Sequence, residues 1–184
     1  MARIQKPPPG RLVVSIIHSS FDALAEALSV LERRFGRVLF ETTGYPSEKE
    51  ELYREEMGSD LQRRFFCFDR LVPRDSLIEV KRICHKIEPM FADHTGDHIF
   101  RTVNIDPGIL TPANLVMASH REYNHRVYLK EGVYAEVVLI YAKDRFLRLP
   151  WTSADFCHDE AIDFFLRVRD SFELLVQPPE PEAV

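Results

Sequence analysis

The pattern of hydrophobic and polar positions predicts a chain in which strands and helices are mixed. Residues 12–18 (LVVSIIH) form an unbroken apolar run rich in β-branched side chains, which is typical of a central strand. Apolar residues then recur at every third or fourth position from Leu24 to Phe35, as on one face of a helix, and Gly36 follows where a helix would end. The chain is therefore expected to begin with a strand followed by a helix.

Three further strands and a second helix are predicted before residue 106. Pro89 lies in the last turn of that helix, where proline interrupts the hydrogen-bond ladder. The resulting order, β-α-β-β-α-β, is that of the ferredoxin-like split βαβ arrangement. The predicted strands span residues 37–43, 62–72 and 99–105, the helix spans residues 77–91, and residues 46–60 are predicted to form a loop with one helical turn.

The second half of the chain predicts a β-hairpin. Two β-rich runs, residues 123–129 and 133–141, flank three turn residues that end in Gly132. A strand at residues 145–149 and a last helix at residues 160–176 follow. We therefore expect an α+β fold: a ferredoxin-like βαββαβ core with its sheet extended by the C-terminal β-hairpin, and a final packed helix. The alternative is a related α+β sheet with another strand order.

The three-residue loop at 130–132 would fix the register of this hairpin. A shift of one residue would move every side chain of a strand to the opposite face. One face is predicted to be polar and aromatic, and its reverse mostly apolar. The opposed pairs are then Tyr128 and Tyr134, Leu129 and Val133, and Arg126 and Glu136, with Asn124 on the face of Arg126 and His125 on the apolar face.

Length and composition indicate one ordinary globular domain. The 184 residues suffice for a sizeable core, and the apolar and charged fractions are 45% and 29%. No linker, repeat or low-complexity tract interrupts residues 11–177, so we expect a single domain there. Residues 1–10 are expected to form a disordered arm and residues 178–184 a disordered tail.

Charge and cysteine content limit the classes of partner and the cellular compartment that we expect for this protein. A formal net charge of −5 gives no electrostatic footprint for nucleic acid or for an anionic membrane. No apolar run approaches the ~20 residues that span a bilayer. Three widely spaced cysteines, Cys67, Cys84 and Cys157, argue for reduced thiols in a cytoplasmic protein. We therefore expect neither nucleic acid nor a membrane as partner, and the oligomeric state stays open.

Arg126 and Glu136 form the first candidate site. As an ion pair on a polar sheet face they could position an anionic ligand, with the guanidinium as a fork donor to phosphate or carboxylate. The plainer interpretation is a cross-strand pair that only stabilises the sheet. Trp151 is similarly open to two interpretations, as an aromatic wall for a ligand ring or as packing for the last helix.

Asn104 and Asp106 share a strand face just before a Pro-Gly pair. The Asp-Pro-Gly sequence commonly ends a strand in a turn. A carboxylate at such a strand end could also bind a metal or act as a general base. That Asn104 and Asp106 converge with Arg126 and Glu136 on one site is a hypothesis, because the sequence does not show which strands are neighbours.

Histidines give weaker signals. His125 is predicted to be a core residue, but it becomes a candidate acid or base near neutral pH if the hairpin register shifts by one. A D-H-x-x-D-H cluster at residues 93–98 has ligand types that suit a transition metal. Because the cluster spans a glycine-containing polar turn, we interpret it as an exposed turn. No residue is assigned to a metal, and the cofactor is unknown.

Several short strings occur together in an order that resembles a known family. The strings are Glu56–Gly58 followed by Arg64–Phe66, Asn104–Gly108, Tyr123–Tyr128, Gly132–Glu136 and Leu149–Thr152. From about Leu12 to the last helix the chain resembles the bacterial family catalogued as domain of unknown function 4416. The resemblance implies no established activity. Some members carry the label GTP-binding protein, but this sequence has no G-x-x-x-x-G-K-[ST] P-loop.

Three functional hypotheses follow. The preferred one is a domain that binds a small anionic molecule, with a nucleotide as one candidate, because Arg126 would otherwise lack an external partner. The second is a metal-assisted hydrolase or phosphoryl-transfer enzyme that uses Asp106 and Glu136, with His125 as acid or base. The third is a protein-interaction module without catalysis. The candidate pocket has Asn104, Asp106, Arg126 and Glu136 as its floor and Tyr128, Tyr134 and Trp151 as its walls.

Overall fold

In a computed structural model the chain forms a mixed α+β fold built on a large antiparallel sheet. The structure describes residues 3–95 and 98–172. Its helices are α1 (Phe21–Phe35), α2 (Glu50–Met57), α3 (Leu77–Ile87) and α4 (Asp159–Asp170). Its strands are β1 (Gly10–His18), β2 (Val38–Glu41), β3 (Tyr45–Pro46), β4 (Gln62–Val72), β5 (Asp93–Thr95), β6 (His98–Phe100), β7 (Val103–Leu110), β8 (Asn114–Ser119), β9 (Val127–Lys130), β10 (Val133–Ala142) and β11 (Arg145–Arg148).

The main sheet runs in the order β11-β10-β8-β7-β1-β4-β2, with β3 paired to β4 and β9 paired to β10. Each of these pairings is antiparallel. β5 and β6 form a separate hairpin. The predicted α+β class is confirmed. Within the described residues the main sheet has nine strands, which is more than the sequence pattern alone supplied.

β1 lies in the middle of the sheet and is buried along its whole length. Its side chains alternate between two cores, one on each face. Leu12, Val14 and Ile16 pack with the apolar stripes of α1 and α3. Val13 belongs to the other core, which contains Phe165 of α4. The continuous apolar run in the sequence therefore reflects burial on both faces of the sheet.

Residues 46–60 contain α2, which is longer than the single helical turn expected there. Tyr53 and Met57 lie one turn apart and pack with Ile17 and Leu61. Two apolar positions in an acidic segment give a weak periodic signal. Tertiary packing rather than sequence periodicity stabilises this helix.

The prediction that Asp106–Gly108 ends a strand in a turn is wrong, because these residues lie inside β7. Pro107 lies opposite Val14 of β1 and has no N–H to donate. Ile105, two positions earlier, directs its N–H away from β1, so the nitrogen of Pro107 lies on the β8 side. The ladder between β7 and β8 ends at Gly108, and the proline is accommodated where that pairing stops.

Gly108 allows β8 to approach β7 closely. A Cβ atom at this position would lie 2.2 Å from the Met117 sulfur and 2.8 Å from the Val116 carbonyl oxygen. Close strand approach, and not a turn, therefore accounts for this glycine.

The hairpin of β9 and β10 has a two-residue turn instead of the predicted three-residue loop. Its residues, Glu131 and Gly132, both have positive φ (54° and 75°), as a tight hairpin turn requires. A β-bulge at Leu129 absorbs the extra residue, so the predicted pairing of Leu129 with Val133 is wrong, whereas the pairing of the two tyrosines is confirmed. The observed pairs are Lys130 with Val133, Tyr128 with Tyr134, and Val127 with Ala135.

Parts of both chain ends lie outside the described residues. α4 ends at Asp170, whereas the predicted helix continued to residue 176. Residues 173–184, which include the predicted tail, are outside the described range, as are residues 1 and 2 of the predicted arm. Residues 3–9 are exposed and belong to no helix or strand. In the described part of the chain, no helix is long and apolar enough to cross a membrane.

His18, the last residue of β1, is buried without hydrogen-bond partners. Its side chain is 1% exposed, and neither ring nitrogen has a partner among the residues described. The ring packs edge-on to Phe21, with the ring centroids 5.1 Å apart. Burial and the Arg64 guanidinium lower the pKa of His18 below its ordinary value of 6.5.

We expect His18→Leu to raise the free energy of unfolding and to reduce its loss in acid. Leucine leaves no buried polar atom without a partner. In the wild type, the unfolded chain takes up a proton at His18 near pH 6.5, whereas the folded chain does so only at lower pH. As the pH is lowered from about 6.5, the free energy of unfolding of the wild type should therefore decrease by up to about 1.4 kcal/mol per pH unit. Urea unfolding from about pH 7.5 down to about pH 5 measures this decrease.

The matched substitution at an exposed histidine, His94→Leu, should leave the acid limb of the stability curve unchanged. An acid loss in His18→Leu as steep as that of the wild type would show that His18 does not control it.

Candidate functional site

A cleft of about 750 Å³ opens where β7 and β8 part. The two strands pair only through residues 108–110 of β7. Residues 103–107 of β7 and residues 118–119 of β8 are therefore not paired with each other, and they lie on opposite sides of the cleft. Asp106 and Glu136 share the sheet face beneath the opening, because cross-strand partners and alternate residues of a strand lie on one side. The loss of strand pairing thus creates the space for a site.

The side chains of Lys81 on α3 and of Glu88 directly after α3 replace the hydrogen bonds that β8 leaves unmade. Glu88 accepts a 2.7 Å hydrogen bond from the N–H of Ile105. Lys81 Nζ donates to the carbonyl oxygen of Ile105 at 3.3 Å. Lys81 and Glu88 are both 5% exposed. A buried ammonium and a buried carboxylate therefore satisfy the edge of β7 in place of a strand.

A network of polar side chains extends from Lys81 along the cleft. Lys81 Nζ lies 2.6 Å from Oδ1 of Asp106, and Oδ2 of Asp106 accepts from the Asn104 amide at 2.8 Å. The amide oxygen of Asn104 accepts from Arg101 at 3.2 Å. Arg101 closes the network on Glu56, 2.6 Å away. The two polar residues predicted from the strand pattern are thus held by cations on both sides.

Burial and ion pairing act in opposite directions on these groups. Burial alone would lower the pKa of Lys81, but the Asp106 and Glu88 carboxylates raise it above its ordinary value. Burial alone would raise the pKa of Asp106, but Lys81 and the Asn104 hydrogen bond hold it below its ordinary value. For Glu88, burial outweighs Lys81 and the pKa is raised. Lys81 and Asp106 therefore stay ionised near neutral pH.

Arg126 and Glu136 form the predicted ion pair. Two hydrogen bonds of 2.9 and 3.3 Å join the guanidinium to the carboxylate. Nη1 of Arg126 also donates to Ser119 Oγ at 2.8 Å and to the Arg121 carbonyl oxygen at 2.9 Å. Contrary to expectation, Arg126 has acceptors within the chain and needs no external anion. It fixes the segment that carries Arg121 to the sheet.

His125 lies on the polar side, and the prediction that it faces the apolar core is wrong. Residues 123–126 precede β9 and form a turn, so strand alternation does not apply to them. Nε2 of His125 lies 2.8 Å from Oε2 of Glu136. The ring stacks on Trp151 with centroids 5.1 Å apart and an interplanar angle of 7°, and on Tyr123 at 5.6 Å. The three rings form a continuous aromatic stack.

The predicted aromatic walls divide into two groups. Trp151 lines the cleft, and its indole N–H donates to the Val137 carbonyl oxygen at 2.8 Å, which fixes the ring. Tyr128 and Tyr134 lie on the polar sheet face but do not line the cleft. They pack on each other edge-on, 5.3 Å apart, on the exposed hairpin.

Arg121 brings a positive charge into the cleft without an ion-pair partner. Its guanidinium lies over the Tyr53 ring, 5.3 Å from the centroid, and has no carboxylate or carbonyl acceptor among the described residues. Arg101 packs on the same ring at 5.4 Å. His85 also lines the cleft, and burial together with the neighbouring His120 lowers its pKa. Donors are therefore available here for an external acceptor.

Arg63 lines the cleft and is held by a buried ion pair. Its Nε lies 2.7 Å from Oδ2 of Asp155, and both side chains are at most 5% exposed. Arg63 also donates to Ser15 Oγ of β1. Asp155 accepts from Ser47 Oγ and from the Glu48 N–H, each at 3.0 Å. The pair connects β4 and β1 with the residues before α2 and the turn before α4.

Most of the predicted site residues come together in this cleft. Those that line it are Asn104, Asp106, His125, Arg126, Glu136 and Trp151. The sequence did not reveal seven further charged residues of the lining. Two of them, Lys81 of α3 and Glu88 directly after this helix, left a signal, because they are two helical turns apart on the buried side, where an exposed charge would not lie. The seven residues are Lys49, Glu56, Arg63, Lys81, Glu88, Arg101 and Arg121.

The carboxylates proposed for metal-assisted chemistry already have donors. Every oxygen of Asp106 and Glu136 accepts a hydrogen bond from a neighbouring side chain. Across the described residues, no group of three or more His, Cys, Asp or Glu side chains could hold a metal ion. Of the D-H-x-x-D-H segment, Asp93 and His94 are exposed, and Asp97 lies outside the described residues.

Comparison with known protein families gives a match that includes the cleft. The model of the family described as Domain of unknown function (DUF4416) matches residues 8–172. No curated protein and no solved structure matches the chain. All lining residues of the cleft, from Lys49 to Phe156, fall within the matched range.

We expect Arg63→Met to lower the free energy of unfolding by about 3–5 kcal/mol, because it leaves the Asp155 carboxylate buried without its cation. Adding Asp155→Asn to this variant should recover part of the loss, since no buried charge then lacks a partner. Chemical denaturation of the two single variants and the double variant measures both effects.

Arg37→Met is the matched control, because its ion pair with Asp69 has a guanidinium that is 90% exposed. This control should change stability by less than about 1 kcal/mol. Losses that simply add in the double variant of Arg63 and Asp155 would contradict the coupling proposed for the pair.

Proposed function

The chain belongs to the DUF4416 family, whose model spans residues 8–172, and from the geometry of its cleft we propose that it binds a small anionic molecule there. The cleft volume of about 750 Å³ lies within the usual range for small-molecule sites, roughly 300–1,000 Å³. Phosphates, carboxylates and nucleotides are all candidate ligands of this class.

The balance of charge in the cleft carries the proposal. Its lining contains six lysines and arginines, four aspartates and glutamates, and three histidines. The whole chain has the opposite balance, with 24 basic and 29 acidic residues. An acidic protein that gathers cations in one concavity attracts an anion to that place.

Arg121 is the side chain that we assign to the anion. The Tyr53 ring orients the Arg121 guanidinium, and the hydrogen bond from Arg126 to the Arg121 carbonyl oxygen holds the backbone. The Arg121 guanidinium itself has no acceptor within the described part of the chain. Arg126 supports this arrangement through Glu136 and does not itself receive the ligand. Arginine suits the role because its planar fork matches phosphate and carboxylate geometry.

Asn104, Asp106 and Lys81 form the ordered inner side of the proposed site, and Trp151 with His125 forms an aromatic side. Because these groups are already hydrogen-bonded or stacked, a ligand meets side chains that do not have to be reordered. Tyr128 and Tyr134 are left out of the proposed site, because they do not line the cleft.

We also propose a ferredoxin-like core and a cytoplasmic location. The order β7-β1-β4-β2, with α1 and α3 between the strands in the chain, supports the first. Three cysteines without disulfide partners support the second, because thiols stay reduced in the cytoplasm.

The test is a thermal-shift and calorimetric screen against inorganic phosphate, sugar phosphates, dicarboxylates and nucleotides. A specific ligand present at ~100 times its dissociation constant should stabilise the protein by about 2.7 kcal/mol. Arg121→Gln should weaken its binding about tenfold or more, because a charge-assisted hydrogen bond contributes about 1.5–3 kcal/mol.

Arg145→Gln is the matched control, since Arg145 is exposed on β11 and does not line the cleft. It should bind the same ligand as the wild type does. Equal losses in both variants, or no stabilisation by any anion in the screen, would overturn the proposal.

A further inference from the structure

We infer that the ligand is amphipathic: an anionic group joined to an apolar chain or ring. The inference rests on the proposed anion site and specifies the chemical class of its ligand. Four large hydrophobic side chains line the cleft and are nevertheless exposed, with exposed fractions of 54% for Leu52, 65% for Ile99, 58% for Tyr123 and 41% for Trp151.

Buried charged side chains and exposed apolar side chains occur together in the lining of this cleft. Its most buried charged and polar side chains, Arg63, Lys81, Glu88 and Asn104, are each 4–6% exposed. Other apolar side chains of the lining, such as Met117 and Phe156, are buried, and Arg121 is exposed. The four apolar side chains named above are accessible as well. A bare hydrated ion would have no contact with such groups, whereas an apolar group attached to the ion would cover them.

The exposed apolar side chains come from four separate segments, which lie around one opening. Leu52 is on α2, Ile99 on β6, Tyr123 on the segment before β9, and Trp151 on the turn before α4. A single exposed hydrophobic residue is normal, and two such residues on the same strand or helix could be explained by the alternation of that element. A set drawn from four segments around a cleft marks a binding surface.

The anionic and apolar surfaces line the same cleft. Leu52 lies on α2 together with Tyr53, whose ring carries the Arg121 guanidinium, and all three residues line the cleft. Tyr123 packs against the Arg126 guanidinium at 5.0 Å and against His125, which stacks on Trp151. An anion at Arg121 therefore shares the cleft with apolar surface from Leu52 on one element and from Tyr123 on another.

The occupant to which we commit is a small molecule, since the cleft encloses about 750 Å³ and its polar inner groups are buried. The charge of the site matches an anionic head group. The exposed side chains match an alkyl or aryl body, whose burial is favourable in proportion to the apolar area removed from water.

The experiment compares a graded series of phosphate monoesters by isothermal titration calorimetry at constant salt. The probes are inorganic phosphate, methyl phosphate, phenyl phosphate and octyl phosphate, with phenol as an uncharged reference. Phenyl and octyl phosphate should bind about tenfold more tightly than inorganic phosphate, or better, in keeping with the burial of an apolar group. Phenol should not bind measurably.

Two variants of the rim separate its contribution from that of the anion site. Leu52→Gln and Ile99→Gln should remove most of the advantage of the phenyl and octyl esters and leave the affinity for inorganic phosphate unchanged. Leu39→Gln is the matched control, because Leu39 is 40% exposed on β2 and does not line the cleft. Thermal unfolding verifies that each variant is folded, which is expected because all three positions are exposed.

The outcomes distinguish failure of the inference from failure of the proposed function. If the esters bind no more tightly than inorganic phosphate, and Arg121→Gln weakens all of them equally, the ligand is a plain anion and only the inference is overturned. If neither the esters nor phosphate bind in an Arg121-dependent way, both are overturned. If phenol binds as tightly as phenyl phosphate, the cleft recognises the apolar group alone, and the amphipathic assignment is wrong.

Discussion

The buried ion pair between Arg63 and Asp155 is the contact on which the geometry of the cleft depends. Neither charge would remain in the interior alone, because taking an ion out of water costs several kcal/mol. Four separate segments supply the hydrogen bonds of the pair: β4, β1, the residues before α2, and the turn before α4. The segment that leads into α2, which carries Leu52 and Tyr53 of the lining, and the turn that carries Trp151 are therefore fixed to the same point of the sheet. A change in this pair would alter both walls together.

The separation of β7 from β8 makes room for a site, but it leaves backbone N–H and C=O groups of β7 without partners from a strand. Pro107 has no N–H to continue the ladder toward β8, and the polar groups of Ile105 would be left without partners in the interior. Lys81 and Glu88 satisfy those groups, and Lys81 also holds Asp106. The same side chains thus complete the sheet and form the inner surface of the cleft. Because the lining is ordered before a ligand arrives, little conformational freedom has to be lost on binding.

The sequence predicts this molecule where local pattern decides and fails where distant segments decide. The apolar run of β1 and the stripe of α1 follow from periodicity, and the structure agrees. The predicted pairing of Tyr128 with Tyr134 also holds, but only because the β-bulge at Leu129 offsets a turn that is one residue shorter than predicted. Local sequence predicts a turn at Asp106–Gly108, because nothing near these residues shows that they pair with β1 while β8 departs at Pro107. The predicted position of His125 is wrong because the residue lies in a turn before β9. Arg121 gave no signal, since its importance comes from Tyr53 far away in the chain.

The central place of β1 has a consequence for how the chain is made. β1 pairs with β4 and β7 and with no strand adjacent to it in sequence. During synthesis from the N-terminus, its second neighbour is complete only roughly 90 residues later, which takes roughly 5–20 s at about 5–20 residues per second. Both edges of this apolar, β-branched segment stay open until β4 is made, and one edge stays open until β7 is made. An open strand edge of this composition favours aggregation with other chains. The rate of translation, the growth temperature and the presence of chaperones that shield β1 should therefore govern how much of the protein reaches the folded state in a cell.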